Sequence, residues 1–152
     1  MALVFEKLNL KGQKEILVLN APGSFEPELT RLSGIIVHRN INEMAEITFA
    51  LAFVTSQKEV ETIAPTVAVK TKGDVTLWFA YPKQTSKRYR CDFNRDSGWS
   101  SLGAAGFECV RLVAIDEDWS AMRFRRVEFI KLMRRDPKRA QSFLGKRKIA
   151  GQ

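Results

Sequence analysis

Residues 15 to 25 read Glu15-Ile16-Leu17-Val18-Leu19-Asn20-Ala21-Pro22-Gly23-Ser24-Phe25, or "EILVLNAPGSF". Four apolar residues in a row, Ile16 to Leu19, fit a strand buried on both faces, and Asn20, Pro22 and Gly23 then break it into a tight loop. The residues that follow, "SFEPELTRL", predict a short helix, with Pro27 suited to its first turn and Ser24 placed to cap it. Strand, loop and helix in that order are the opening of an α/β sheet.

The rest of the chain repeats the alternation. "GIIVHRN" predicts a second strand and "ITFALAFVT" a longer third one. "SQKEVETI" predicts a helix capped by Ser56, with Glu59 three residues on as in a capping box, and Pro65 is expected to end or kink it. "VTLWFAYP" is the fourth strand. "WSSLGAAGF" reads as a small helix ending near Gly106, and "ECVRLVAI" and "SAMRFRRVEF" as two strands joined across "DEDW" in an antiparallel hairpin. The predicted fold is α/β, a mainly parallel, Rossmann-like open sheet with a C-terminal antiparallel hairpin. Residues 1 to 136 form a single domain in this reading, and 137 to 152 a basic, mobile tail too poor in apolar residues to pack.

The chain has 152 residues, 45% of them hydrophobic and 28% charged, which suits one soluble domain able to bury its own core. No apolar run approaches the roughly 20 residues of a membrane span, and "MALVFEKLNLKG" lacks the apolar stretch of a secretory signal, so a cytoplasmic location is expected. Two cysteines, Cys91 and Cys109, and one histidine are too few for a structural zinc site. No metal and no cofactor are assigned. His38 has no serine or cysteine partner in any nucleophile motif and reads as an ordinary residue of a strand end.

The net charge of +8 is unevenly placed. Residues 123 to 152 hold 11 Lys or Arg against 2 acids, whereas residues 1 to 122 hold 14 basic and 15 acidic groups. Arg134, Arg135, Lys138, Arg139, Lys146, Arg147 and Lys148 thus form a cationic segment suited to nucleic acid or another polyanion. Lys87, Arg88 and Arg90, interleaved with Tyr89 and followed by Phe93, make a second candidate contact for nucleic acid; Asp92 and Asp96 partly offset them.

In an open parallel sheet, ligands bind at the carboxyl ends of the strands. Asn20, Gly23 and Ser24 precede a helix N-terminus that could favour an anion, or they form only a turn. Tyr81, Lys83, Thr85 and Ser86 follow the fourth strand and combine a ring, a cation and two hydroxyls, either as the lip of an anion site or as a strand end running into solvent. Asp116, Glu117 and Asp118 read as an acidic hairpin turn or as oxygen donors for a divalent ion.

Three segments carry a resemblance: "LNAPGSF", "LWFAYPKQTS" with the following Asp92, and "VAIDEDWSAMRF". In order and spacing they resemble a bacterial family of small proteins of unknown function, which has a similar Asn-Ala-Pro loop, Trp-x-x-Tyr/Trp-Pro-Lys strand end and Asp-Glu-x-Trp-Ser turn. The resemblance covers about residues 5 to 126 and implies no reaction. The element order is also similar to that of class I S-adenosylmethionine-dependent methyltransferases, although "NAPGSF" has one glycine and "VHRN" ends without the acid such enzymes place on the cofactor ribose. The expected function is a non-catalytic binding module for an anionic ligand or nucleic acid. The alternative is an enzyme on a diverged methyltransferase-like scaffold with a nucleotide-type cofactor, in which Lys83, Ser86 and Asp116 are the first groups to test.

Overall fold

The computed structural model describes residues 3–93 and 97–130. The cationic segment containing Arg134, Arg135, Lys138, Arg139, Lys146, Arg147 and Lys148, the expected boundary at 136, and Asp96 lie outside the described residues.

Six strands form one mixed sheet: β1 (Glu15–Leu19), β2 (Ile36–His38), β3 (Ile47–Phe53), β4 (Thr71–Pro82), β5 (Phe107–Ala114) and β6 (Trp119–Arg126), in the order β2-β1-β3-β4-β6-β5. The pairs β1–β2, β1–β3 and β3–β4 are parallel, whereas β4–β6 and β5–β6 are antiparallel. The α/β class, the predominantly parallel half and the closing hairpin are as the sequence predicts.

Period-two alternation divides the core between the two faces of the sheet. One face gathers Leu17, Ala50, Ala52, Leu77, Phe79, Tyr81, Met122 and Phe124 under the helices α3 (Gln57–Lys70) and α4 (Ser100–Ala104). The other gathers Ile16, Val18, Phe49, Leu51, Phe53, Trp78, Ala80 and Ala121 beneath α1 (Leu3–Lys7) and α2 (Glu26–Thr30). Because β1, β3 and β4 contribute to both clusters, their sequences run continuously apolar rather than alternating. Trp78 is fully buried in the second cluster, and its indole Nε1–H donates to the Leu8 carbonyl at 2.7 Å, fixing the turn after α1 to the central sheet.

Two expectations are corrected, and one element was not foreseen. Helix α3 continues through Pro65 to Lys70. Val60, Ala64 and Val67 hold it on the sheet from both sides of the proline, while Pro65 itself faces solvent, where water can satisfy the carbonyl that its missing N–H leaves free. Ser24 does not cap α2, because residues 23 to 25 wind into a 3-10 turn and Phe25 occupies the cap position. The opening segment, read only as not being a signal, contains α1, whose Val4 and Phe5 are buried. Ser56 caps α3 as expected, accepting from the Glu59 N–H at 3.2 Å, but the Glu59 carboxylate returns to the Thr55 N–H at 2.8 Å. No helix among the described residues is long and apolar enough to cross a membrane.

At the far end of the hairpin, Arg125 grips Asp74 with two bonds of 2.8 and 2.6 Å. That guanidinium holds the Asp74 carboxyl below its ordinary value. A carboxyl depressed by folding stabilises the protein above its unfolded pKa of about 3.9, and the contribution disappears as pH falls through the folded value. Asp74→Asn is therefore expected to lower the Tm at about pH 7, with the difference shrinking as pH falls through the lowered Asp74 value. Parallel Tm curves for the two proteins across that range would show that the pair contributes nothing.

Candidate functional site

The loops after β1, β3 and β4 all reach the carboxyl edge of the sheet, as the parallel topology requires. Among the described residues, the crevice after β4 is lined by that strand's own loop and by none of the β1 or β3 loop residues. Strand order reverses between β1 and β3, the place where an open α/β sheet usually takes a ligand, and there the protein's own side chains close the gap. Asn20, in left-handed backbone (φ 59°), donates through Nδ2 to the Phe53 carbonyl at 3.4 Å. The Phe25 ring packs on Phe53 at 4.9 Å, and Phe53 packs on Trp119 at 5.1 Å. Ser24 is exposed in its 3-10 turn, and Glu26 and Glu28 fill the first turn of α2. Arg39 holds Glu26 with two bonds of 2.7 and 2.8 Å, and Arg31 holds Glu28 at 2.6 Å.

The open crevice lies one strand further, after β4. Its volume is about 390 Å³, and its walls include Lys83, Ser86, Tyr89, Arg90, Asp92 and Phe93. The segment from Pro82 to Phe93 arches over the sheet edge and is fastened at both ends. On the hairpin side, the Lys83 N–H donates to the Asp118 carbonyl at 2.8 Å and the Ser86 hydroxyl donates to Asp118 Oδ1 at 2.9 Å. On the helix side, Asp92 Oδ1 accepts from the Gln57 N–H at 2.8 Å, covering the N-terminus of α3 with a carboxylate. The second and third sequence motifs thus meet directly, at Lys83, Ser86 and Asp118.

These fastenings sort the candidate residues. Ser86 also accepts from the N–H groups of Arg88 and Tyr89, so its hydroxyl organises the loop. Tyr81 points to the core, only 6% exposed, against Phe93 and Trp99 at 6.1 and 5.6 Å; its ring is not offered to a ligand. The reason is parity, since Tyr81 shares a face of β4 with Leu77 and Phe79. Thr85 is exposed at the loop tip and lies outside the crevice lining. Asp116 is used in the hairpin turn, where its Oδ1 accepts from the N–H groups of Asp118 and Trp119, both at 2.8 Å. Trp119 is the buried anchor of that turn and packs on Tyr89 at 4.9 Å. Gly98 (φ +90°) lies so close to Phe93 that a Cβ there would stand 2.8 Å from the ring, which makes glycine a condition for this wall.

What remains uncommitted is cationic. Lys83 and Arg90 line the crevice, and no ion pair holds either among the described residues. Lys87 and Arg88 are exposed on the same arch. Among the described residues beside the crevice, Asp92 is engaged by the N-terminus of α3 and Asp118 by Ser86. Cys91, also in the lining, is a free thiol whose pKa is raised first by burial and then by Asp92 and Glu59, which disfavours the nucleophilic thiolate. Cys109 is likewise free, and burial pushes it up to about 11.

At the opposite edge of the sheet, a hollow of about 550 Å³ is lined by Glu15, Glu43 and Glu46 with Lys14, an acidic wall unsuited to an anion. His38 sits nearby, its Nε2 2.8 Å from Glu15 Oε1, so this histidine has a carboxylate partner that no local motif announces. Of the crevice lining, the sequence singles out Lys83 and Ser86 as candidates for an anion site and Arg90 as a candidate for nucleic acid. It does not reveal Asp92 and Asp118 as clasps, because their partners lie 35 and 32 positions away. No protein-family model matches the chain, and no curated protein matches it.

Proposed function

We propose that this protein is a binding module for a small anionic ligand, a Rossmann-like domain whose ligand enters behind β4 rather than between β1 and β3. The observation that carries this reading is the pair Lys83 and Arg90, two cations on one crevice whose neighbouring carboxylates are already bound elsewhere. A phosphate or carboxylate entering there gains charge-assisted hydrogen bonds without displacing an internal partner. The cationic C-terminal sequence adds attraction for nucleic acid or another polyanion.

Thermal shift of the full chain with inorganic phosphate, nucleotides and S-adenosylmethionine tests the proposal. A ligand at 100 times its Kd stabilises the folded state by about 2.7 kcal/mol, a rise of roughly 5 to 10 °C for a chain of this size. Lys83→Ala is expected to weaken phosphate or nucleotide binding about tenfold, the loss of one hydrogen bond to a charged group. A shift with S-adenosylmethionine alone would favour the enzyme reading of the same layout. No shift with any of them would refute a small-ligand site.

A further inference from the structure

The hairpin carries a second cationic locus, and a backbone irregularity sets it up. From Phe107 to Cys109 the partners on β6 run Arg126, Arg125 and Phe124, but after a bulge Arg111 pairs with Arg123, Leu112 with Met122 and Val113 with Ala121. In unbroken register Val110 would oppose Arg123, and Arg111 would lie on the other face beside Met122. The extra residue brings Arg111 onto the face of Arg123, and re-aiming a side chain is a recurrent use of a bulge.

The resulting pair is unfavourable by itself. Like charges directly opposite in a sheet destabilise it. Arg123 is half-buried, and its Nε is sealed from solvent without a hydrogen-bond acceptor. Its guanidinium is pushed below the ordinary arginine value, chiefly by burial and then by repulsion from Arg125 and Arg111, with Asp74 opposing. Asp74 is already held by both bonds from Arg125, and Glu108 is buried opposite Arg125. Among the described residues no ion pair holds Arg111 or Arg123.

We propose that Arg111 and Arg123 together clamp a backbone phosphate of a nucleic-acid strand. Two guanidinium forks whose Cα atoms stand about 5 Å apart can bridge one phosphate with parallel N–H donors. The chain favours a polymer of phosphates over a lone ion. The next segment, residues 131 to 152, carries 8 Lys or Arg against 1 acid, so the charge that begins on the hairpin continues along the sequence. This inference extends the anion-binding reading to another surface and does not depend on the crevice.

Fluorescence anisotropy of a short, mixed-sequence single-stranded RNA, titrated with the full chain across a range of salt, is the test. Changing both residues, Arg111→Gln with Arg123→Gln, is expected to weaken binding about tenfold or more and to flatten the slope of log K against log salt by about 0.7, the share of one single-strand phosphate. Its Tm should equal or exceed that of the parent, since the repulsive pair is gone. Unchanged affinity and slope overturn the clamp, as does a lowered Tm with RNA binding intact, which makes the pair structural. Arginine-dependent binding to phosphatidylserine vesicles without RNA binding overturns the nucleic-acid assignment. The crevice is read separately, by the thermal shift with inorganic phosphate and its loss in Lys83→Ala, so failure of the clamp and failure of the crevice are distinguishable.

Discussion

Trp78→Ala is expected to cost about 4 kcal/mol of stability, the usual range for emptying a buried indole site, and to leave a protein of ordinary stability partly unfolded. Trp78 is fully buried on β4, and its Nε1–H holds the Leu8 carbonyl. The substitution therefore removes a ring from the second core cluster and loosens the turn that carries α1 onto the sheet. Urea unfolding followed by far-UV circular dichroism measures the loss. Trp78→Phe keeps much of the volume but abandons the Leu8 carbonyl, and should cost about 1 to 3 kcal/mol. If Trp78→Ala costs less than Trp78→Phe, the described packing around this residue is wrong.

Arg126→Ala is expected to cost about 2 to 3 kcal/mol, although arginine is among the residues most often dismissed as surface. Its Nη1 donates to the Gly73 carbonyl at 2.8 Å. Its Nη2 reaches Thr71 Oγ1 at 2.7 Å, the Thr71 carbonyl at 3.0 Å and the Ala68 carbonyl at 3.4 Å. The guanidinium carbon also stands 4.9 Å from the centre of the Phe107 ring. One planar fork thus satisfies carbonyls at the C-terminal end of α3, where a helix has no internal donors left, and ties them to the start of β5 and the end of β6. Truncation removes a donor from each of these acceptors, at roughly 1 to 3 kcal/mol where water replaces it poorly, although the Ala68 carbonyl keeps the Thr71 N–H and hydroxyl. Arg126→Lys should recover little, since an ammonium cannot meet the divergent acceptors in the same plane. Full rescue by lysine in the same urea titration would sink this account and reduce Arg126 to its charge.

The parts of the fold visible in the sequence are those with a local physical signature. Ile16 to Leu19 read as a strand buried on both faces, and two strands flanking "DEDW" read as a hairpin. The Ser56 cap was equally visible. That α3 does not end at Pro65 was not visible, because local propensity says nothing about the buried stripe of Val60, Ala64 and Val67, which outweighs one missing hydrogen bond. Helix α1 spans only five residues, too short for a helical period to show. Within the site, Lys83 and Arg90 stood out by charge. Tyr81 did not have to be misplaced, since alternation along Leu77, Phe79 and Tyr81 already assigns its ring to the core. The bulge before Arg111 and the clasps of Asp92 and Asp118 depend on pairing register and on distant partners, and neither leaves a mark in any short window.

The arch from Pro82 to Phe93 also bears on the order of folding. Tyr89 packs on Trp119, which belongs to one core cluster, while Phe93 packs on Tyr81 and Trp99 in the other. The arch is therefore a stitch between two faces that the sheet otherwise keeps apart, and both clusters must be in place before it has anything to hold. Segments that depend on finished surroundings open first in the native ensemble, through local excursions that leave the rest intact. Here that segment is one wall of the crevice, so a local opening of the arch would reshape the crevice while both hydrophobic layers stay closed.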